Sequence, residues 1–131
     1  HTAEETNNIG VFAGVSYTAS DGEYVYSKYW PSGTVATDIV AYVYDDPYIV
    51  YRIQSAGTPA QTDVGACADV VASAGSTTTG QSGFSLNGTM ASGTATCKII
   101  GLWEDPANSF AQYAQLEVII NEHLLKATAG I

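Results

Sequence analysis

His1 and His123 are the only histidines in this 131-residue chain. A zinc site or a Ser-His-Asp site would have to use one of them. Neither has a second His or a Cys nearby at the spacing of a metal-ligand pair. No serine lies in a Gly-x-Ser-x-Gly elbow or a comparable nucleophile motif. We therefore expect no metal, no cofactor and no catalytic residue, and interpret His123 as a polar group at a strand end.

Paired carboxylates are the second group of residues that could do chemistry, as acid and base in a small glycosidase or as calcium ligands. No Asp-x-Asp-x-Asp-Gly loop is present, and adjacent acids on a strand point to opposite faces. Each pair follows an aromatic residue and precedes a proline, which is common turn chemistry, although a faint internal duplication stays open. We interpret both segments as turns: Asp45-Asp46-Pro47 and Glu104-Asp105-Pro106.

A glycine-rich segment at 75–83 has the small residues of a phosphate-binding loop but lacks its lysine, and no helical pattern follows it. It belongs to a long, weakly patterned stretch at 55–93, and such loops are often functional. We expect the segment to contact a neighbouring chain. Its candidate contact residues are Gly75, Ser76, Thr77, Thr78, Thr79 and Gly80.

Charge and composition narrow the class of protein. Four Lys and Arg against 13 Asp and Glu give a net charge of -9, so we expect neither nucleic acid nor an anionic membrane as a partner. The sequence has no apolar run of membrane-helix length and no signal-peptide pattern at its start. We expect one soluble domain over 1–131, with an upstream segment missing because the chain begins at His1. Cys67 and Cys97 are interpreted as buried free thiols, with a single disulfide as the alternative.

Periodicity and turn residues predict an all-β fold. An Asp21-Gly22 turn joins two runs as a hairpin, and Leu116, Val118 and Ile120 alternate inward along the last run. The predicted strands cover 9–18, 24–30, 38–44, 48–54, 66–71, 95–103 and 112–123.

Nine tyrosines and two tryptophans supply the contact area typical of protein interfaces. In the second run, Tyr24, Tyr26 and Trp30 are expected on one face and Val25 and Tyr29 on the other. The run at 38–44 is apolar on both faces, which indicates a central or interface strand. The aromatic residues that we predict to bind a partner are Tyr24, Tyr26, Tyr29, Trp30, Tyr42, Tyr44 and Tyr48.

With these motifs in place, roughly residues 7–125 resemble a family of small virion structural proteins of tailed phages, including cyanophages, encoded near the major capsid protein. The most specific blocks are Asp-Asp-Pro at 45–47, Gly-Ser-Thr-Thr-Thr-Gly-Gln-Ser at 75–82 and Ile-Asn-Glu-His at 120–123. The resemblance implies an antiparallel β-barrel or jelly-roll-like sandwich with long polar loops, usually a homotrimer. It departs from the family at Cys67, where a polar residue is more usual.

The resemblance further implies a capsid decoration, or cement, protein that binds the outer surface of the major capsid protein shell and stabilises the head. Its location would then be the virion surface, after assembly in the bacterial host cytoplasm. A carbohydrate- or receptor-binding head-fibre or tail module is the alternative, because exposed aromatics and polar loops suit it equally well.

Overall fold

The computed structural model describes residues 8–91 and 93–126, which form nine β-strands and two single-turn 3-10 helices. The strands are β1 Val11–Ala19, β2 Tyr24–Ser27, β3 Ala36–Tyr44, β4 Tyr51–Gln54, β5 Cys67–Ala68, β6 Val70–Val71, β7 Ser85–Leu86, β8 Cys97–Leu102 and β9 Gln115–Ile120. The 3-10 helices are Gln61–Asp63 and Leu124–Lys126. No helix in the described part of the chain is long and apolar enough to cross a membrane.

The strands form three antiparallel sheets, so the predicted all-β class is confirmed. Their orders are β2-β1-β3, β4-β9-β8-β5 and β6-β7. Within residues 8–91 and 93–126 the strands close no barrel, and the arrangement fits a sandwich-like class.

The hairpin predicted at Asp21-Gly22 is confirmed. The Ala19 and Glu23 backbones close the turn with a 2.8 Å hydrogen bond, and the Gly22 amide donates to the Ala19 carbonyl at 2.9 Å. Gly22 has φ 85°, a conformation that costs glycine little and other residues more. The turn therefore fixes the register in which Thr18 faces Tyr24 and Ser16 faces Tyr26.

The hydrophobic core lies between the four-stranded and two-stranded sheets. Alternation along β9 places Leu116, Val118 and Ile120 inward, each at most 6 % exposed, as the sequence predicted. The buried members of the core cluster come from β5, β7, β8 and β9: Ala68, Leu86, Cys97, Ile99, Leu116 and Val118. The β2-β1-β3 sheet contributes none of them, and its own buried residues include Val15 and Tyr17.

A backbone bridge joins the segment before β1 to the segment after β9. Asn8 and His123 form a parallel bridge, in which the Asn8 amide donates to the Glu122 carbonyl and the Leu124 amide to the Asn8 carbonyl. His123 is buried, and its Nδ1 accepts from the Leu125 amide at 3.1 Å. Gly10, with φ 148°, lies so close to β3 that a Cβ there would overlap the Tyr44 carbonyl.

Several predicted strands differ from the structure. The run at 48–54 begins only at Tyr51, because the Asp46 carboxylate accepts from the Tyr48 amide and extends the turn. The run at 66–71 splits into β5 and β6, which belong to different sheets. Between them the Asp69 carboxylate accepts hydrogen bonds from Thr96. The run at 38–44 is an edge strand, not a central one, since β1 is its only neighbour among the described strands.

The two cysteines are free thiols, as interpreted from the sequence, but only Cys97 is buried and Cys67 is half-buried. Cys97 pairs with Ala68, whereas Cys67 pairs with Lys98, so the two side chains point to opposite faces of the sheet. Burial, followed by the nearby Asp69, Cys67 and Glu122, raises the pKa of Cys97 to about 12. The Cys97 thiol therefore stays protonated at neutral pH.

We predict an alkaline loss of stability that comes from Cys97. An unfolded cysteine titrates near pH ~8.5, so from there to the folded pKa of about 12 the unfolded chain loses a proton that the native thiol keeps. The free energy of unfolding should then fall with rising pH, by at most about 1.4 kcal/mol per pH unit from this thiol. Urea denaturation at several pH values would measure the slope, which Cys97→Ala should reduce. Equal slopes in the wild type and Cys97→Ala would contradict the prediction, and Cys67→Ala is the control.

We also predict that the core cluster contributes more to the free energy of unfolding than the β2-β1-β3 sheet does. Leu116 is fully buried in the core cluster, so Leu116→Ala should cost about 2–5 kcal/mol of the free energy of unfolding. Val40 lies 49 % exposed on the β2-β1-β3 sheet, and Val40→Ala should cost less than about 1 kcal/mol. Urea denaturation of both variants tests this, and similar losses would show that the β2-β1-β3 sheet is part of the core.

Candidate functional site

One face of the β2-β1-β3 sheet carries four tyrosines, and we call it the aromatic face. Cross-strand pairing places Tyr24 and Tyr26 of β2 opposite Thr18 and Ser16 of β1. On the other side of β1, Tyr42, Val40 and Tyr44 lie opposite Gly14, Ser16 and Val11. Because directly paired residues share a face, the aromatic face consists of Tyr24, Tyr26, Tyr42 and Tyr44 with Val11 and Val40.

Small residues at the centre of β1 let the tyrosines from both neighbouring strands converge. The Tyr26 and Tyr42 ring centroids lie 6.0 Å apart across β1. Beneath them, the Ser16 hydroxyl is buried and hydrogen-bonded to the Tyr42 hydroxyl at 3.1 Å. A Cβ at Gly14 would lie 2.6 Å from the Tyr26 hydroxyl oxygen. Gly14 and Ser16 therefore set the positions of the two rings.

The aromatic face is open to solvent. Tyr24 is 67 % exposed, Tyr26 61 % and Tyr44 58 %. A sheet is normally stabilised by burying at least one apolar face against another element, and a contiguous exposed apolar patch commonly marks an interaction site. The arrangement suits contact with another macromolecule.

Trp30 lies on the opposite face, so its predicted position beside Tyr24 and Tyr26 is wrong. β2 ends at Ser27, whose hydroxyl donates to the Tyr29 carbonyl at 2.6 Å and accepts from the Tyr29 amide. This bend ends the two-residue alternation before Trp30. The indole packs edge-on against Tyr17, with centroids 5.3 Å apart.

The predicted loop contacts form a compact turn beside Tyr29. The Ser76 carbonyl accepts from the Gly80 amide at 2.8 Å, and the Ser76 hydroxyl accepts from the Thr79 amide. A Cβ at Gly80 would lie 3.4 Å from both the Lys28 Cβ and the Tyr29 ring. The structure thus brings the 75–80 loop to the end of β2, where the loop lies against the half-buried Tyr29.

Tyr48 lies apart from the aromatic face, in the turn after β3. It is 72 % exposed, and the Lys126 Nζ lies 5.3 Å from the centroid of its ring. The neighbouring Tyr51 hydroxyl donates to the Tyr44 carbonyl at 3.2 Å. Burial and then the Asp46 and Asp45 carboxylates raise the pKa of Tyr51, so this turn lies in a negative field.

Both carboxylate pairs occupy turns, as predicted. The Asp46 carboxylate accepts from the Tyr48 amide at 2.9 Å, and that of Asp105 accepts from the Ala107 amide at 2.8 Å. A shallow concavity of about 190 Å³ lies beside the second turn. Its lining residues are Asp105, Ala107, Asn108, Tyr113 and Gln115. Among the described residues, no group of three or more His, Cys, Asp and Glu could hold a metal ion.

Sequence reasoning missed the residues that build the centre of the aromatic face. Val11, Val40, Gly14 and Ser16 were not among the predicted contacts. Gly14 and Ser16 alternate as small residues in a strand whose neighbours carry tyrosines, and this pattern is a usable signal for a surface on which rings from two strands meet.

Comparison with known proteins adds no candidate relative, because no family model, curated protein or solved structure matches this chain. The functional interpretation therefore depends on the aromatic face and its surroundings.

Proposed function

We propose that this chain is a structural protein that binds another protein through the aromatic face. The observation that carries the proposal is the exposure of four tyrosines on a sheet that supplies none of the core cluster. Tyrosine is enriched at interface hot spots because it offers a large apolar area and a polar tip. The Ser16–Tyr42 hydrogen bond and the β1–β3 ladder position these rings before binding, which reduces the entropy that binding costs.

The area available is consistent with an interface of ordinary size. Full burial of an aromatic side chain covers ~150–250 Å², so covering these partly exposed tyrosines supplies roughly 450 Å². A stable interface buries about 800 Å² on each partner. In the proposed complex the remainder comes from the exposed surface around the tyrosines, to which Val11 and Val40 of the same face contribute.

The resemblance to tailed-phage virion proteins supplies the partner in this proposal. We propose that the chain decorates a phage capsid, as a homotrimer bound to the outer surface of the major capsid protein shell. By bridging capsid subunits it would stiffen the head against the pressure of packaged DNA. This role requires contact area and no catalytic turnover.

Substitution of one exposed tyrosine tests the proposal. Tyr26→Ala should weaken binding to shells of the major capsid protein roughly 30-fold, the loss typical of an interface hot spot. Tyr113 is the matched control, because it is 58 % exposed, close to the 61 % of Tyr26, and lies outside the β2-β1-β3 sheet. Tyr113→Ala should change binding less than about twofold. Co-sedimentation with undecorated shells measures both.

A second measurement separates structural stabilisation from mere attachment. Decorated shells should rupture at a higher temperature than undecorated shells, and Tyr26→Ala should remove this difference at concentrations where wild type saturates. Equal rupture temperatures for decorated and undecorated shells would overturn the stabilising role. Specific binding on a glycan array, with no binding to shells, would instead favour the carbohydrate-binding alternative.

A further inference from the structure

The hairpin end of the aromatic face is acidic. The start of β3 lies beside the end of β1, with Thr37 opposite Thr18 and Ala36 opposite Ala19. Exposed Asp21 and Glu23 lie in the adjoining turn. Exposed Asp38, with φ 51°, lies where the register shifts along β3. Three carboxylates therefore surround the end of the face that carries Tyr24.

The opposite end is acidic as well. Asp45 and Asp46 follow Tyr44 directly, and both are exposed. The raised pKa of Tyr51, whose hydroxyl reaches the Tyr44 carbonyl, has these two carboxylates among its causes. Their field therefore extends to the edge of the aromatic face.

Two cations flank the sheet, one of them near a pair of these carboxylates. Lys28 follows β2, and Lys126 lies over the Tyr48 ring near the Asp45-Asp46 turn. The carboxylates still outnumber the cations, in a chain with a net charge of -9. The two ends are separated by the length of β3, roughly 26 Å at ~3.3 Å per residue. This exceeds the ~8 Å Debye length at physiological salt, so each end acts on a different part of the bound surface.

A second copy of the chain is a poor match for the aromatic face. In aligned packing, stacked sheets keep their strands within about 30° of each other. In either direction of such stacking, an acidic end of one copy would meet an acidic end of the other. Like charges brought together at an interface oppose binding.

We infer that the aromatic face binds a protein other than a second copy of this chain. The contact surface of that protein is apolar at its centre and bears lysine or arginine at both ends. This inference rests on the proposed docking role of the aromatic face and specifies the chemistry of its partner. The tyrosines supply most of the affinity. The two acidic ends supply orientation, a faster association rate and discrimination against self-association.

A pair of synthetic peptides tests the charge requirement directly. One alternates valine and threonine at its centre and carries two lysines at each end, and the other carries glutamates in place of the lysines. Titration of the isotope-labelled chain, followed by NMR, should show amide shifts in β1, β2 and β3 with the lysine peptide. At low salt this peptide should bind at least about tenfold more tightly than the glutamate peptide, and added salt should reduce the difference.

Two variants with the same net charge locate the effect. The first neutralises four of the five end carboxylates through Glu23→Gln, Asp38→Asn, Asp45→Asn and Asp46→Asn, and should bring the two peptide affinities within about twofold. The second neutralises distant carboxylates through Asp63→Asn, Glu104→Gln, Asp105→Asn and Glu117→Gln, and should keep the tenfold preference. Asparagine retains the acceptor oxygen used by the Tyr48 amide and tolerates the positive φ of residue 38.

Equal affinity of the two peptides for the wild type, or loss of the preference in both variants, would overturn the inference. Shell binding separates this result from the proposed function. Shells that bind the wild type and the end-neutralised variant equally well at low salt would leave the decoration role standing and refute the charge requirement. Preference for the lysine peptide without shell binding would support the charge requirement and refute the decoration role.

Discussion

A β-sheet is stable when at least one of its apolar faces packs against another element, and this requirement determines how the whole molecule is arranged. The four-stranded sheet meets it internally, because Leu116, Val118 and Ile99 pack with Leu86 and Ala68 in the core cluster. The β2-β1-β3 sheet meets it only in part, since Val15 and Tyr17 are buried while Tyr24, Tyr26 and Tyr44 remain exposed. One half of the chain therefore provides stability, and the other half is free to present a surface.

The surface is also more ordered than its exposure suggests. Tyr42 is fixed to Ser16 by a hydrogen bond, and the Tyr26 hydroxyl lies directly over Gly14. Side chains already held in place lose less rotational freedom when a partner arrives. The substitution of either small residue by a larger one would disturb the rings without altering the core, so the aromatic face and the core depend on different parts of the sequence.

Local pattern was enough to predict some of this arrangement. The Asp21-Gly22 turn and the alternation along β9 depend on neighbouring residues, and both appear as predicted. The position of Trp30 could not be read in the same way, because a hydrogen bond from Ser27 ends β2 early and reverses the face. The break at Asp69 likewise depends on Thr96, which is distant in sequence. This tertiary contact therefore decides that the run at 66–71 is divided between two sheets.

The open edge of β3 has a further consequence for how separate copies of the chain behave. From Ile39 to Tyr44 this edge carries no charged side chain and no proline, the devices with which proteins usually prevent strands of separate molecules from pairing. Such pairing is opposed instead by the bulge at Asp38, by the carboxylates at 45 and 46, and by the net charge of -9, which repels one free copy from another. The same negative charge therefore opposes pairing between copies of the chain, and crowded copies at high salt would lose that protection first.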